Sequence, residues 1–150
     1  MKVLFGVDVG GTDIKLGAFD WKSQKLLKKW AIKTDLSNEG KQIIPDVAKE
    51  IQSYLCENAL SEADVYGIGM GIPGPVDKDG NVEVCVNLFW NNFNPAEEMR
   101  KFFPHAYIQT GNDANVAALG EFVQGAGRKY KTMMLITLGT GVGGGIILNG

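Results

Sequence analysis

One pattern occurs twice in this chain and limits what it can fold into: an apolar strand, a turn of glycine and threonine, and a second apolar strand. It runs first as VLFGVDVGGTDIKLGAF from Val3 and again as MMLITLGTGVGGGIIL from Met133. Short apolar runs on either side of a glycine turn are the signature of a hairpin. Here the first turn is Gly10 to Asp13, and the second hairpin joins Met133–Leu138 to Gly144–Leu148. Repetition of the hairpin predicts a duplicated domain whose two turns lie on opposite sides of one cleft. At 150 residues the chain is long enough for one packed domain but short for two with a cleft between them. The expected division is an amino-terminal lobe over residues 1–124, then a linker and the first hairpin of a second lobe over 125–150.

Between the hairpins the period of the apolar residues changes. Leu26–Thr34 completes a three-stranded meander, with Trp30 and Ile32 on one face and Lys29 and Lys33 on the other, as on a half-exposed edge. Ile43, Val47, Ile51 and Leu55, flanked by Ile44 and Tyr54, form a helical stripe, and Pro45 is tolerated only in a first turn. Val65–Ile72 reads as a strand stopped by Pro73-Gly74-Pro75. Asp79-Gly80 is a hairpin turn before Val82–Val86. Pro95–Phe102 is a short helix, Ala106–Gln109 a short strand, and Ala114–Val123 a helix expected to turn Val116, Leu119, Phe122 and Val123 inward. Three strands followed by alternating helix and strand predict a mixed α/β sheet with flanking helices.

Charge and cysteines exclude several classes. Fifteen Lys plus Arg against seventeen Asp plus Glu give a net charge of −2, with no basic block, so no nucleic-acid partner is expected. Lys28-Lys29 and Arg128-Lys129 read as solvated faces. Cys56 and Cys85 form no CxxC pair, so this segment carries neither a zinc site nor a dithiol redox site, and free thiols fit a cytoplasmic protein. The start is interrupted by Asp8 before a signal-peptide core can develop. Thr132–Leu148 is uncharged but glycine-rich and shorter than the roughly 20 residues of a spanning helix, so no membrane partner is expected.

Two segments fit GxGxxG, at Gly69, Gly71, Gly74 and at Gly139, Gly141, Gly144. A dinucleotide site also needs a helix opening directly after the turn. Pro73 and Pro75 deny this to the first, and Ile146-Ile147-Leu148 makes the second a strand. No GxxxxGK[ST] is present either. What remains is a pair of turns, Gly10-Gly11-Thr12 and Gly139-Thr140-Gly141, where the backbone can approach an anion closely and threonine adds a hydroxyl. The same residues would also serve as plain tight turns. Asp8 ends an apolar strand, where a carboxylate needs a partner: either a hydrated Mg2+ on nucleotide phosphates or the amides of its own turn.

On the acceptor side, Asn112-Asp113 lies between a strand and a helix, a natural capping site. An Asp at a strand end facing a cleft is also where phosphoryl transfer needs a group to orient the acceptor hydroxyl and take its proton. Asn112 and Asn115 offer amides to a polyhydroxylated substrate. The stiff turn around Gly71 and Pro73 can back a sugar pocket, and Asn87 adds an amide beside Phe89 and Trp90, with Phe89 expected in the core. His105 is assigned a structural or exposed role.

Together these residues resemble the ROK family of repressors, open reading frames and kinases, which includes bacterial glucokinases. The anchors are Asp8-Val9-Gly10-Gly11-Thr12, Gly69-Met70-Gly71-Ile72-Pro73-Gly74-Pro75-Val76, Val86-Asn87-Leu88, Gly111 through Glu121, and Thr137 through Ile147. The resemblance implies the duplicated actin-like, hexokinase-type (ribonuclease H-like) fold with ATP between the lobes. It casts Asp113 as catalytic base and Asn112 as a sugar ligand, with Asn87, Gly71 and Pro73 on the sugar side. Asp8 becomes the carboxylate near Mg-ATP, with Gly10, Gly11, Thr12, Gly139, Thr140 and Gly141 at the nucleotide.

The wording from Gly80 to Leu88 looks most like glucokinases of Gram-positive bacteria, which points to glucose. Asp13 departs from the family, many members of which carry a basic residue there, and Val86 stands where many have proline. The family's Glu-x-Gly-His sugar segment, its cysteine-rich zinc loop and its adenosine region would all lie beyond residue 150. The resemblance therefore implies the amino-terminal part of a longer cytoplasmic kinase, homo-oligomeric when complete. Kinases for another hexose or an N-acetylhexosamine, and a non-enzymatic sugar-sensing repressor, are the other readings within the family.

Overall fold

A computed structural model describes residues 1–139 and 141–150. In chain order the elements are β1 (Val3–Val9), β2 (Asp13–Asp20), β3 (Leu26–Lys33), α1 (Ile43–Glu57), β4 (Val65–Ile72), β5 (Val82–Cys85), β6 (Trp90–Phe93), α2 (Pro95–Arg100), β7 (Tyr107–Asn112), α3 (Asp113–Val123), β8 (Met133–Leu138) and β9 (Val142–Ile147). Five strands form a mixed sheet in the order β3-β2-β1-β4-β7. The β1–β2 and β2–β3 pairs are antiparallel, while β1–β4 and β4–β7 are parallel. The pairs β5–β6 and β8–β9 form separate two-stranded sheets.

Alternation along the strands sorts residues between the two faces of the large sheet. Val3, Phe5, Val7 and Val9 of β1 and Ile14, Leu16 and Ala18 of β2 are buried. They belong to one core with the α1 stripe, in which Ile43, Val47 and Ile51 are fully buried. Tyr54 of α1 meets Phe5 edge-on at 5.5 Å and stacks with Trp30 at 5.6 Å, so the helix is keyed to both a central strand and the sheet edge. Pro45 sits in the first turn of α1, where its missing N–H breaks no helical bond. Below the sheet edge, Met99 of α2 and Phe103 extend the same core.

The expected short strand Ala106–Gln109 runs instead over Tyr107–Asn112, because parallel pairing with β4 continues through Gly71↔Gly111 and Ile72↔Asn112. Polar residues there carry no apolar period, yet their backbone completes the ladder. Phe89 is not core. It adopts a left-handed φ of 57° at the end of a short 3-10 turn and is exposed. Its neighbour Trp90 is buried instead and donates from Nε1 to the Gly40 carbonyl at 3.1 Å. His105 is exposed, as expected.

The inward turn expected of α3 is also corrected. Val116, Leu119 and Val123 are 44%, 53% and 51% exposed, and it is Ala114 and Ala118 that are buried. The hairpin β8–β9 lies on that small-residue side of the helix. A Cβ added at Gly145 would come within 2.5 Å of the Ala118 Cβ, and one at Gly143 within 3.1 Å of the Ala114 Cβ. Small residues on both partners let the backbones approach closely, so the large side chains of α3 point away from that contact. Val116 and Leu119 border an open groove of about 860 Å³ whose floor includes Gly6, Gly17 and Gly69. The hairpin itself exposes Met134, Ile136, Leu138, Val142 and Ile146. No helix among the described residues is long and apolar enough to cross a membrane.

The different burial of two leucine-sized side chains gives a direct test. In the 150-residue chain, Ile51→Ala is expected to lower the unfolding free energy by about 2–5 kcal/mol in urea titration. Leu119→Ala is expected to cost about 0.5 kcal/mol or less. Equal losses would contradict the assignment of the core to the α1 face.

Candidate active site

The site grows out of one row across the large sheet. Lys15 of β2 lies opposite Asp8 of β1, Asp8 opposite Gly71 of β4, and Gly71 opposite Gly111 of β7. Parallel neighbours bring the carboxyl ends of β1, β4 and β7 to one edge, the usual location of ligand sites in such sheets. Directly after β7 the chain turns into α3 over this row. A Cβ at Gly71 would lie 3.4 Å from the Asp113 Cα, and one at Gly111 would lie 2.9 Å from Val116 Cγ2. Glycine at both places gives the helix room to begin against the sheet.

Asn112 fixes that beginning. Its Oδ1 accepts from the Asn115 N–H at 3.2 Å, capping α3, and its Nδ2 donates to the Gly74 carbonyl at 3.1 Å. One side chain thus ties the helix to the turn after β4. The capping role expected at Asn112-Asp113 falls to Asn112. Asp113, half-buried in the first turn, accepts the Ala114 N–H on Oδ1 at 2.7 Å. Among the described residues its other oxygen has no hydrogen-bond partner. The helix N-terminus favours negative charge at this point.

The Pro73-Gly74 turn is held from the other side by Cys85, whose Sγ donates to the Pro73 carbonyl at 3.2 Å. Burial pushes the Cys85 thiol above its ordinary pKa, and the negative charge of Asp113 adds to the effect. Gly11 faces Asn87, since a Cβ there would sit 3.4 Å from the Asn87 carbonyl oxygen. The first turn is closed by the Gly10 N–H donating to Asp13 O at 3.1 Å, and the Gly10 carbonyl accepts the Thr34 hydroxyl at 2.6 Å. Thr12 is exposed, and its carbonyl accepts the Thr34 N–H at 3.0 Å.

The second turn closes with Gly139 N–H donating to Gly141 O at 2.9 Å, and a Cβ at either glycine would meet nothing within 4 Å. Thr140, expected at the nucleotide, lies outside the described residues.

These parts enclose a cleft of about 970 Å³. Asp8, Gly10 and Gly11 line it from the first turn, Asn87, Asn112 and Asp113 from the middle, and Gly139 and Gly141 from the hairpin, with Gly71 and Pro73 among its walls. Glycines of both turns thus line one cleft, whereas Thr12, expected at the nucleotide, is not among its lining residues. The sequence reading missed Lys15, whose Nζ lies 3.4 Å from Asp8 Oδ2 at the same cleft. The signal available was its spacing: two residues past Asp13, it returns to the face that carries Asp8. Asp13 itself is paired with Lys33 at 2.7 Å.

Comparison with known proteins gives a consistent picture. The sequence profile of the ROK family matches residues 4–150. A glucokinase of Halalkalibacterium halodurans is 42% identical over 146 residues, covering 97% of this chain and 44% of the relative. An N-acetyl-D-glucosamine kinase of Yersinia pseudotuberculosis is 33% identical, covering 97% of this chain and 46% of the relative. The crystal structure of a ROK family glucokinase from Streptomyces griseus in complex with glucose and AMPPNP superposes with a TM-score of 0.82 at 30% identity, over 98% of this chain and 45% of that one. The chain thus spans less than half the length of these relatives.

The link through Asn112 can be tested without any ligand. Asn112→Ala removes the cap, expected to cost about 0.5–2 kcal/mol, and frees the Gly74 carbonyl. Loosening that turn uncovers Cys85, so iodoacetamide should modify Cys85 several-fold faster at pH 7.5 while the exposed Cys56 reacts at an unchanged rate. Mass spectrometry of the two cysteine peptides reads the outcome. An unaltered Cys85 rate would separate the cap from the turn.

Proposed function

The chain belongs to the ROK family, and from that premise we propose that the whole protein is an ATP-dependent hexose kinase of which these residues form the amino-terminal lobe and the first hairpin of the second. The division into residues 1–124 and 125–150 is part of the proposal. One observation carries it: Asp113 and both glycine turns line the same cleft. The actin-like and hexokinase-type fold, with a mixed sheet and flanking helices, agrees with it.

In this reading the triphosphate lies between the turns, approached closely by Gly10, Gly11, Gly139 and Gly141, with the Gly11 and Gly141 N–H groups directed at its oxygens, since those of Gly10 and Gly139 are held within the turns. The Thr12 and Thr140 hydroxyls belong to the same contacts. The sugar lies toward Asn87, Asn112 and Asp113, with Gly71 and Pro73 as the rigid wall behind it. Asn112 has one N–H left for a sugar hydroxyl after its two internal bonds. Asp113 takes the proton of the acceptor hydroxyl as its oxygen attacks the γ-phosphorus. The carboxylate of Asp8 is 55% exposed and has no neighbouring metal-ligand cluster among the described residues. That suits a Mg2+ carried mainly by the phosphates and touched by Asp8 through water. When bound, the ion would neutralise phosphate charge.

The acceptor is a hexose, with glucose the first to test because the H. halodurans glucokinase is the more similar of the two relatives described. N-acetylglucosamine is the second acceptor reading, supported by the Yersinia kinase matching an equal share of the chain.

The test uses the full-length protein in a coupled ADP-release assay with glucose and with N-acetylglucosamine. Asp113→Asn keeps the bond from Ala114 and leaves the Asn112 cap untouched, so folding and calorimetric sugar affinity should hold. Its kcat should fall roughly 100- to 10000-fold. A kcat within threefold of the parent would reject Asp113 as the base. The 150-residue chain alone should release no ADP above background.

A further inference from the structure

We propose that Thr34 is a positioning residue for the nucleotide, holding the first glycine turn so that it presents hydrogen-bond donors, and not carbonyl oxygens, to a phosphate chain; the proposal rests on the kinase reading above. Gly10, Gly11 and Thr12 link β1 to β2, and two of their three carbonyls end on Thr34. The Gly10 carbonyl accepts the Thr34 hydroxyl at 2.6 Å, and the Thr12 carbonyl accepts the Thr34 N–H at 3.0 Å. The Gly10 N–H is used up on Asp13 O. Among the described residues, the Gly11 and Thr12 N–H groups donate to no protein group. A carbonyl oxygen aimed at a phosphate repels it, whereas successive free N–H groups form an anion-binding concavity. Thr34 thus sets which pole of the turn is left for a ligand.

Thr34 is half-buried and stands outside the lining of the cleft, so it acts through the turn and touches no reacting atom. Its position is determined from both sides. It directly follows β3, whose Lys33 lies opposite Asp13 and pairs with that carboxylate at 2.7 Å. Adjacent residues at one strand end therefore deal with both negative features of the turn, Lys33 with the carboxylate and Thr34 with the carbonyls. Further on, Leu36 packs against the core. Gly40 is buried with a left-handed φ of 66°, and its carbonyl accepts the Trp90 Nε1–H at 3.1 Å. A Cβ at Gly40 would collide with the Leu88 carbonyl oxygen, so the segment after Thr34 is seated closely against the residues that follow Asn87. The hydroxyl is presented to Gly10 from a segment anchored at each end, and its bond is shorter than the ~2.7 Å typical of O–H···O pairs.

The consequence is confined to one side of the cleft. Asn112 and Asp113 are oriented by bonds to Gly74, Asn115 and Ala114, none of which involves Thr34. Loss of the Thr34 hydroxyl frees the Gly10 carbonyl to turn toward the phosphates and leaves these sugar-side contacts in place.

The experiment uses the full-length protein with Thr34→Val, which keeps the shape without the hydroxyl, Thr34→Ala as a second removal of the donor, and Thr34→Ser, which retains it. In Thr34→Val and Thr34→Ala, KM for Mg-ATP and the calorimetric Kd for Mg-AMPPNP should rise about tenfold, the scale of one hydrogen bond. KM for the hexose should stay within twofold of the parent, and Thr34→Ser should bring both nucleotide constants back within threefold. A residue that serves stability alone would lower the melting temperature and leave both KM values unchanged or raise them together. An unchanged KM for Mg-ATP, a parallel rise in the two KM values, or a Thr34→Ser protein as impaired as Thr34→Val overturns the proposal. If the parent phosphorylates no hexose, the kinase reading falls by itself. Thr34 is then judged by Mg-AMPPNP calorimetry alone: binding about tenfold weaker in Thr34→Val supports the proposal, and equal affinity, or no binding by the parent, overturns it.

Discussion

Everything in the candidate site depends on how closely α3 starts against the sheet. Gly71 and Gly111 stand side by side in the β4–β7 ladder, and side chains there would push the helix away: the 2.9 Å from a Cβ at Gly111 to Val116 Cγ2 leaves no room. With both bare, the chain reverses from strand to helix directly above the row that carries Asp8. Asn112 then locks the reversal by bonding to both the helix and the Gly74 carbonyl. Asp8 thereby stands beside Gly71 in the ladder and Asp113 over it, where the helix N-terminus favours the Asp113 charge.

The same helix also sets the second wall of the cleft. Its buried Ala114 and Ala118 receive Gly143 and Gly145 of β9, which seats the hairpin and with it the Gly139–Gly141 turn. Position follows from size here: bulky residues at any of the four sites would lift the hairpin and open the cleft. The contact also leaves Val116 and Leu119 beside an open glycine-floored groove. Charge follows the same frame, since the strand period puts Lys15 with Asp8 and leaves Asp13 to Lys33.

Where residues carry a strong period, sequence and structure agree. The Ile43, Val47, Ile51 stripe, the strand Val65–Ile72 and the first glycine hairpin fold where the pattern placed them, because each buries its apolar residues within a few neighbouring elements; the second hairpin also forms, but its second strand runs over Val142–Ile147 and most of its apolar residues stay exposed. Expectations failed where burial depends on distant partners. The apolar side of α3 looked like its core side, yet the glycines of β9, some thirty residues on, select the alanine side instead. Phe89 and Trp90 look alike in composition, and only the left-handed turn decides which is buried. That Asp8, Asn112 and Asp113 would meet at strand ends beside a helix start was legible because capping and turn chemistry are local. Lys15 was passed over although its strand spacing places it opposite Asp8.

The central claim is that the two glycine turns bind one nucleotide between them. The most direct measurement follows the amide resonances of Gly10, Gly11, Gly139 and Gly141 in the isotope-labelled full-length protein during titration with Mg-AMPPNP. The account predicts that residues of both turns shift together along one binding curve, while Gly80, in a turn away from the cleft, stays still. A response confined to one turn, or two curves with different affinities, would contradict it.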